Sequence, residues 1–221
     1  MTVGAKICGL TTKEAVAAVA AGGAAYAGFV FYPPSPRNLR PVEAAALAAS
    51  LPPIIKKVAV LVDPEDDDIA RVLAAFSPDL IQLHGHETVQ RTAAVRARFG
   101  RPVIKAIAIS SQEDVEKAMT YEEAADLLLF DAKAPTSMAG ALPGGNGLIF
   151  DWQLIAAAPK LAKPWLLSGG LEAANVGAAI ATTRAKLVDV SSGVEDRPGV
   201  KSPQKIRDFL AAVAAQNEVA S

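Results

Sequence analysis

Cysteine is almost absent from this chain: 221 residues contain one, Cys8. A single thiol excludes an internal disulfide framework and any metal site built from several cysteines, and it fits a reducing compartment. Aromatic residues are scarce at 5%, which argues against the stacking platforms used on single-stranded nucleic acids. Basic charge is not in excess either. The 22 Lys+Arg against 23 Asp+Glu leave a net charge of −1, so the electrostatic footprint of a nucleic-acid binder is missing. The two histidines, His84 and His86, make no recognisable zinc signature with the scattered acids. The opening residues lack a basic segment followed by an apolar one, so no secretion signal is read there and a cytoplasmic location is expected.

What the chain has in plenty is aliphatic sequence. Hydrophobic residues make up 51% and the mean hydropathy is +0.26. From Ala15 to Pro36 no residue is charged, a length that raises a membrane span. Most of that stretch is Ala and Gly, Gly22-Gly23 interrupts it, and Lys13-Glu14 begin the same helix. It therefore reads as a helix running into a buried strand.

A short aliphatic run, a turn and an amphipathic stretch recur along the chain. The predicted strands are Val3–Cys8, Ala25–Phe31, Ile55–Val62, Leu80–Leu83, Pro102–Ile109, Asp126–Asp131, Trp165–Leu167 and Leu187–Val190. The helices between them carry start and stop signals. Thr11 or Thr12 caps the first, with Glu14 placed for a capping box. Pro41 opens the second, and Asp63-Pro64-Glu65 starts the third, whose Ile69, Val72, Leu73 and Phe76 share one face. Helices are further expected over Glu87–Phe99, from Ser110/Ser111 to Met119, from Asp151, from Glu172 and from Pro203, with a long loop between Ala132 and about Phe150. Strands without apolar/polar alternation imply a parallel sheet covered on both faces. Eight strand–helix units in a chain of about 200–250 residues fit a single-domain α/β (β/α)8 TIM barrel. A doubly wound open sheet is the rival, but no GxGxxG follows the first strand.

In such a barrel, functional residues sit at the C-terminal ends of the strands. That rule selects Cys8, Arg37, Asp63, His84, Asp131, Ser168-Gly169-Gly170 and Asp189-Val190-Ser191-Ser192-Gly193. Cys8 reads either as a small buried apolar residue or as a base or nucleophile beside Gly9. Asp131 closes the apolar run Leu127–Phe130, as a loop aspartate or as a general acid. Strands one and six could set Cys8 and Asp131 across the barrel mouth, an acid and a base on opposite sides of a ligand. The glycine turns after strands seven and eight occupy the usual barrel phosphate site, where backbone N–H groups and a helix N-terminus can hold an anion. Pro143-Gly144-Gly145-Asn146-Gly147 could add donors or a cover. Arg37, held by Ser35-Pro36, suits bidentate capture of a carboxylate. His84 favours a hydrogen-bonded packing role and His86 a surface one. Lys105 is either an inward Schiff-base amine or, more in keeping with its strand, a salt-bridged lysine.

Taken in order, these pieces resemble a known family. Lys6-Ile7-Cys8-Gly9, Gly28–Phe31 with Ser35-Pro36-Arg37, Gln82-Leu83-His84-Gly85, Phe130-Asp131 and Phe150-Asp151-Trp152 form the first part. Leu167–Leu171, Asp189–Glu195 and Pro198-Gly199-Val200-Lys201 complete it. The ordered set resembles phosphoribosylanthranilate isomerase of tryptophan biosynthesis over nearly the whole chain. The resemblance implies an Amadori rearrangement without metal or cofactor, with Asp131 as general acid and Cys8 as general base. It also implies that Arg37 holds the anthranilate carboxylate, that Asp189 contacts the ligand, and that the turns with Gly169, Gly170, Ser192 and Gly193 hold the phosphate. His84 and Gly145 complete the expected substrate contacts. The expected partner is a phosphorylated small molecule, with no nucleic acid and no membrane, and the chain is expected to be a monomer or homodimer. Two positions depart from the family: Asn146 where Thr is common, and Ser202 where Asp is usual, although Ser can cap the last helix equally well. The related histidine-pathway sugar isomerase is the nearest rival, but it has an aspartate where this chain has Cys8. A non-catalytic phosphosugar-binding barrel is the rival of another class, and the joint presence of Cys8 and Asp131 favours the enzyme.

Overall fold

The computed structural model describes residues 2–134, 142–158 and 161–219. Eight parallel strands close into one barrel in chain order. They are β1 (Gly4–Cys8), β2 (Tyr26–Phe31), β3 (Lys56–Leu61), β4 (Leu80–Leu83), β5 (Val103–Ile109), β6 (Leu127–Ala132), β7 (Trp165–Leu167) and β8 (Leu187–Val190). The alternating helices are α1 (Lys13–Ala21), α2 (Pro41–Ala48), α3 (Asp66–Phe76), α4 (Val89–Phe99), α5 (Gln112–Met119), α6 (Gln153–Ala156), α7 (Val176–Thr183) and α8 (Pro203–Val219). The expected (β/α)8 barrel is therefore the observed fold.

The strands are mostly apolar on both faces because both are covered. Val30, Val58, Val60, Leu80, Ile104, Leu129 and Leu166 fill the barrel interior. Their neighbours in sequence, such as Phe29, Ala59, Leu61, Ile81, Leu128 and Leu167, face outward onto helix residues that include Val16, Ile69, Phe76, Val95 and Phe209. This two-residue alternation carries the site. It points Lys6 and Cys8 of β1, Gln82 of β4, Asp131 of β6 and Asp189 of β8 inward, and it sends Lys105 of β5 outward, since Ile104 and Ala106 are the inward pair.

The uncharged stretch is α1 followed by β2, with Val16, Val19, Ala27 and Phe29 fully buried. Among the described residues no helix is long and apolar enough to cross a membrane. Thr12, not Thr11, caps α1 by accepting from the Ala15 N–H, worth about 1 kcal/mol. Thr11 instead donates to the Gly199 carbonyl, so a capping box built on Thr11 and Glu14 does not form. α7 starts at Val176 rather than Glu172, because Asn175 takes the Glu172 N–H and ties back to the Gly170 carbonyl. A short antiparallel hairpin after β8, β9 (Glu195–Arg197) with β10 (Val200–Lys201), was not expected from the sequence. Part of the long loop expected after β6 lies at 135–141, outside the described residues.

Candidate active site

The inward-facing strand tops and the loops beyond them line a cleft at the C-terminal end of the barrel. Cys8, Arg37, His84 and Asp131 all line it, together with Gly145, Gly169, Gly170, Asp189 and Ser192. Gly193 lies just behind this wall. A Cβ there would fall 1.9 Å from the Leu171 carbonyl oxygen, so the loops after β7 and β8 meet at a position only glycine can fill. Asp63 does not reach the cleft. It holds a turn with His86, whose side chain is exposed as expected.

Cys8 packs against β2 at Gly28, its register partner. A Cβ on Gly28 would sit 3.1 Å from the Cys8 sulfur and 3.3 Å from Lys6 Cε, so the missing side chain lets the two converge. Lys6 is fully buried and donates to Asp189 Oδ1 at 2.8 Å, while Ser168 donates to Asp189 Oδ2 at 3.2 Å. Burial, above all, pushes the Cys8 thiol up from its ordinary range, and Asp189 adds to this; Lys6 first, and Lys201, pull it down. Burial disfavours the Lys6 cation, but Asp189 and Cys8 outweigh it and hold its ammonium above the ordinary lysine value.

On the opposite wall, Asp131 Oδ2 lies 3.3 Å from His84 Nε2, and Oδ1 accepts the Ala132 N–H at 2.9 Å. The Gln82 amide nitrogen faces His84 Nδ1 at 2.7 Å, which leaves the imidazole proton on Nε2, aimed at Asp131. The packing role expected for His84 thus includes direct contact with the candidate acid.

Arg37 is not the solvated arginine a loop position suggests. It is 5% exposed, Gly9 leaves room for its stem, and its Nε and Nη2 bond Glu195 at 2.7 and 2.9 Å. Nη2 also donates to the Gly145 carbonyl at 3.2 Å. The side edge of the guanidinium is therefore occupied, and Gly145, lacking a side chain, leaves room for the Nη1 end. Asn146 brackets its own loop, accepting the Leu142 N–H at 3.1 Å and donating to the Leu142 carbonyl at 2.6 Å. Gly169 and Gly170 have φ of +88° and +59°, which glycine adopts without strain. With α7 starting late, the loop after β7 presents a backbone turn rather than a helix N-terminus. Lys6, Gln82, Glu195 and Lys201, none of them selected by the strand-end rule, hold site residues in place. Lys6 and Gln82 could have been found, since each lies on a strand two positions before a selected residue, Cys8 and His84. Among the described residues no group of His, Cys, Asp and Glu could hold a metal ion.

A (β/α)8 barrel that brings a thiol, a carboxyl group and glycine turns into one cleft at its C-terminal face belongs to the class of barrel enzymes built for acid–base chemistry on a small molecule. Residues 5–212 match the model of the family described as N-(5′-phosphoribosyl)anthranilate (PRA) isomerase. The N-(5′-phosphoribosyl)anthranilate isomerase of Rhodospirillum centenum is 53% identical over 215 residues, covering 97% of this chain and all of that one. Among solved structures, phosphoribosyl anthranilate isomerase from Thermotoga maritima superposes with a TM-score of 0.86 at 36% identity, covering 97% of this chain and 100% of that one. A phosphoribosyl anthranilate isomerase in complex with reduced 1-(o-carboxyphenylamino)-1-deoxyribulose 5-phosphate gives 0.84 at 34% identity, with the same coverage. The chain belongs to the N-(5′-phosphoribosyl)anthranilate isomerase family.

Proposed function

We propose that the whole chain acts as one catalytic domain in tryptophan biosynthesis, converting N-(5′-phosphoribosyl)anthranilate to 1-(o-carboxyphenylamino)-1-deoxyribulose 5-phosphate. Asp131 is the acid and Cys8 the base. The observation that carries the reading is the placement of these two side chains in one cleft, on β1 and β6, with the glycine turns of the loops after β7 and β8 at its edge.

The chemistry needs little more. Asp131 gives a proton to the furanose ring oxygen. The C1′–O bond breaks as the nitrogen lone pair forms C1′=N⁺. The iminium acidifies the C2′ proton, which the Cys8 thiolate removes. The C–H electron pair becomes the C1′=C2′ bond, and the iminium pair returns to nitrogen. The resulting enolamine tautomerises to the ketone by losing the hydroxyl proton and gaining one at C1′. Every electron pair stays within the substrate, so the reaction is redox-neutral overall and one acid and one base suffice. Arg37 would receive the anthranilate carboxylate on its Nη1 end. The backbone N–H groups around Gly169, Gly170, Ser192 and Gly193 would cradle the phosphate, and Asp189 and His84 would touch the sugar. A lone free thiol used as a base suits the reducing cytoplasm.

Anthranilate fluorescence, followed as freshly made substrate is consumed, tests the reading. Cys8→Ala and Asp131→Asn should each lose about 10²–10⁴ in rate. Full activity in both would overturn the assignment, and phosphate-ester binding without turnover would favour the non-catalytic barrel.

A further inference from the structure

Lys6 is the one ammonium buried inside the barrel among the described residues that the reaction as written does not use. It is 0% exposed, and its pairing with Asp189 joins β1 to β8 across their shared register. A buried lysine is an expensive way to fill a barrel interior if packing is all that is required. Its placement is specific: it lies two residues before Cys8, on the same inward face, and Gly28 leaves its stem and the sulfur side by side.

We propose that Lys6 is a positioning residue for the base: its ammonium, fixed by Asp189, lies beside the Cys8 sulfur and favours the thiolate against the cost of burial. This rests on the reading of Cys8 as the base. Three other features bear on the thiol. Burial and the Asp189 carboxylate on β8 oppose its ionisation, and the Lys201 ammonium on β10 assists it more weakly than Lys6 does. Arg37, His84 and Asp131 line the same cleft, and Tyr26 of β2 packs into the interior beside Lys6. Asp189 acquires a second task here. It neutralises Lys6 enough to be buried and keeps the ammonium from swinging away from the sulfur, while Ser168 occupies its other oxygen.

Because Cys8 is the only thiol, its titration can be read without interference. The rate of alkylation by iodoacetamide as a function of pH, and the ultraviolet absorbance of the thiolate, both report on this residue alone. Lys6→Met should raise the midpoint by about one pH unit or more, which slows alkylation at neutral pH by about tenfold. Lys6→Arg, which keeps the charge, should restore most of the difference. If Lys6→Met does not fold, Lys6→Met with Asp189→Asn removes both charges, and the thiol should still titrate above the wild type. Unchanged thiol titration in the Lys6 variants would overturn the proposal. Full activity of Cys8→Ala would instead overturn the role of the base, while the thiol titration would still decide whether Lys6 favours the thiolate.

Discussion

Glu195 accepts two hydrogen bonds from Arg37, from Nε at 2.7 Å and Nη2 at 2.9 Å, and its Oε1 also accepts Lys201 Nζ at 2.7 Å. One carboxylate thus serves two buried cations, and the cluster carries a net positive charge at the rim of the cleft. That surplus suits a ligand bearing a carboxylate and a phosphate. The two partners of the Arg37–Glu195 pair should respond differently to removal. Arg37→Ala leaves Glu195 balanced by Lys201, so the protein should fold with modest loss of stability while KM rises about 10- to 100-fold, the worth of one or two charge-assisted hydrogen bonds. Glu195→Gln leaves two buried cations without an anion and should cost about 3–5 kcal/mol. Urea unfolding and steady-state kinetics on both variants check the contrast. Equal destabilisation by the two would show that Glu195 is not the shared counter-ion.

Lys201 gives a pH dependence of known sign. Burial, outweighing the attraction of Glu195, lowers it from 10.5 to about 8. In the unfolded chain it binds its proton up to about 10.5, so between these values the unfolded state holds more protons and stability rises with pH. The destabilisation from burying the cation is present in full below about pH 8 and is relieved above it. Lys201→Met removes this slope and leaves Arg37 paired with Glu195. The stability of the wild type relative to this variant should therefore increase from pH 7.5 to pH 10 by on the order of 1–3 kcal/mol. A difference that falls over the same range would contradict the assignment.

Lys105 tests the outer face of the same strand layer. Its ammonium lies outside the barrel, donating to Glu87 Oε2 at 2.7 Å and to the Gly85 carbonyl at 2.8 Å. Glu87 in turn accepts the Asp63 and Gly85 N–H groups, tying the loops after β3 and β4 together. Lys105→Met should cost about 3–5 kcal/mol, because it leaves a buried carboxylate without its cation. Borohydride in the presence of a simple aldehyde should trap no adduct at Lys105 in the wild type, as expected for an amine engaged with Glu87. Trapping there would restore the Schiff-base alternative.

The fold was legible because eight aliphatic runs separated by amphipathic stretches admit few arrangements, and strand ends then named Cys8, His84, Asp131 and Asp189. Less legible was anything that depends on partners far apart in the chain. The occupation of Arg37 by Glu195 spans 158 residues. It requires the hairpin β9–β10, two short strands with no hydrophobic pattern to announce them. Lys105 was ambiguous for a different reason: a strand buried on both faces gives no alternation from which to read its direction. Of the two threonines able to cap α1, Thr12 is the one used, since Thr11 finds a partner in the Gly199 carbonyl.

The pairing of Gln82 with His84 makes the last prediction the most specific to mechanism. Gln82 is fully buried, and its amide nitrogen at 2.7 Å from Nδ1 keeps the His84 proton on Nε2, facing Asp131. Its own Oε1 has no hydrogen-bond partner among the described residues. Replacing Gln82 with Glu puts a buried carboxylate against Nδ1, which demands a proton there and turns His84 into an imidazolium. A cation beside Asp131 favours its carboxylate form, the form that cannot donate to the ring oxygen. Gln82→Glu should therefore lower kcat by about 10- to 100-fold, with a smaller change in KM. Gln82→Leu puts no charge against Nδ1 and should lower kcat by less. Equal kcat values in Gln82→Glu and Gln82→Leu would mean that charge on His84 does not act on Asp131.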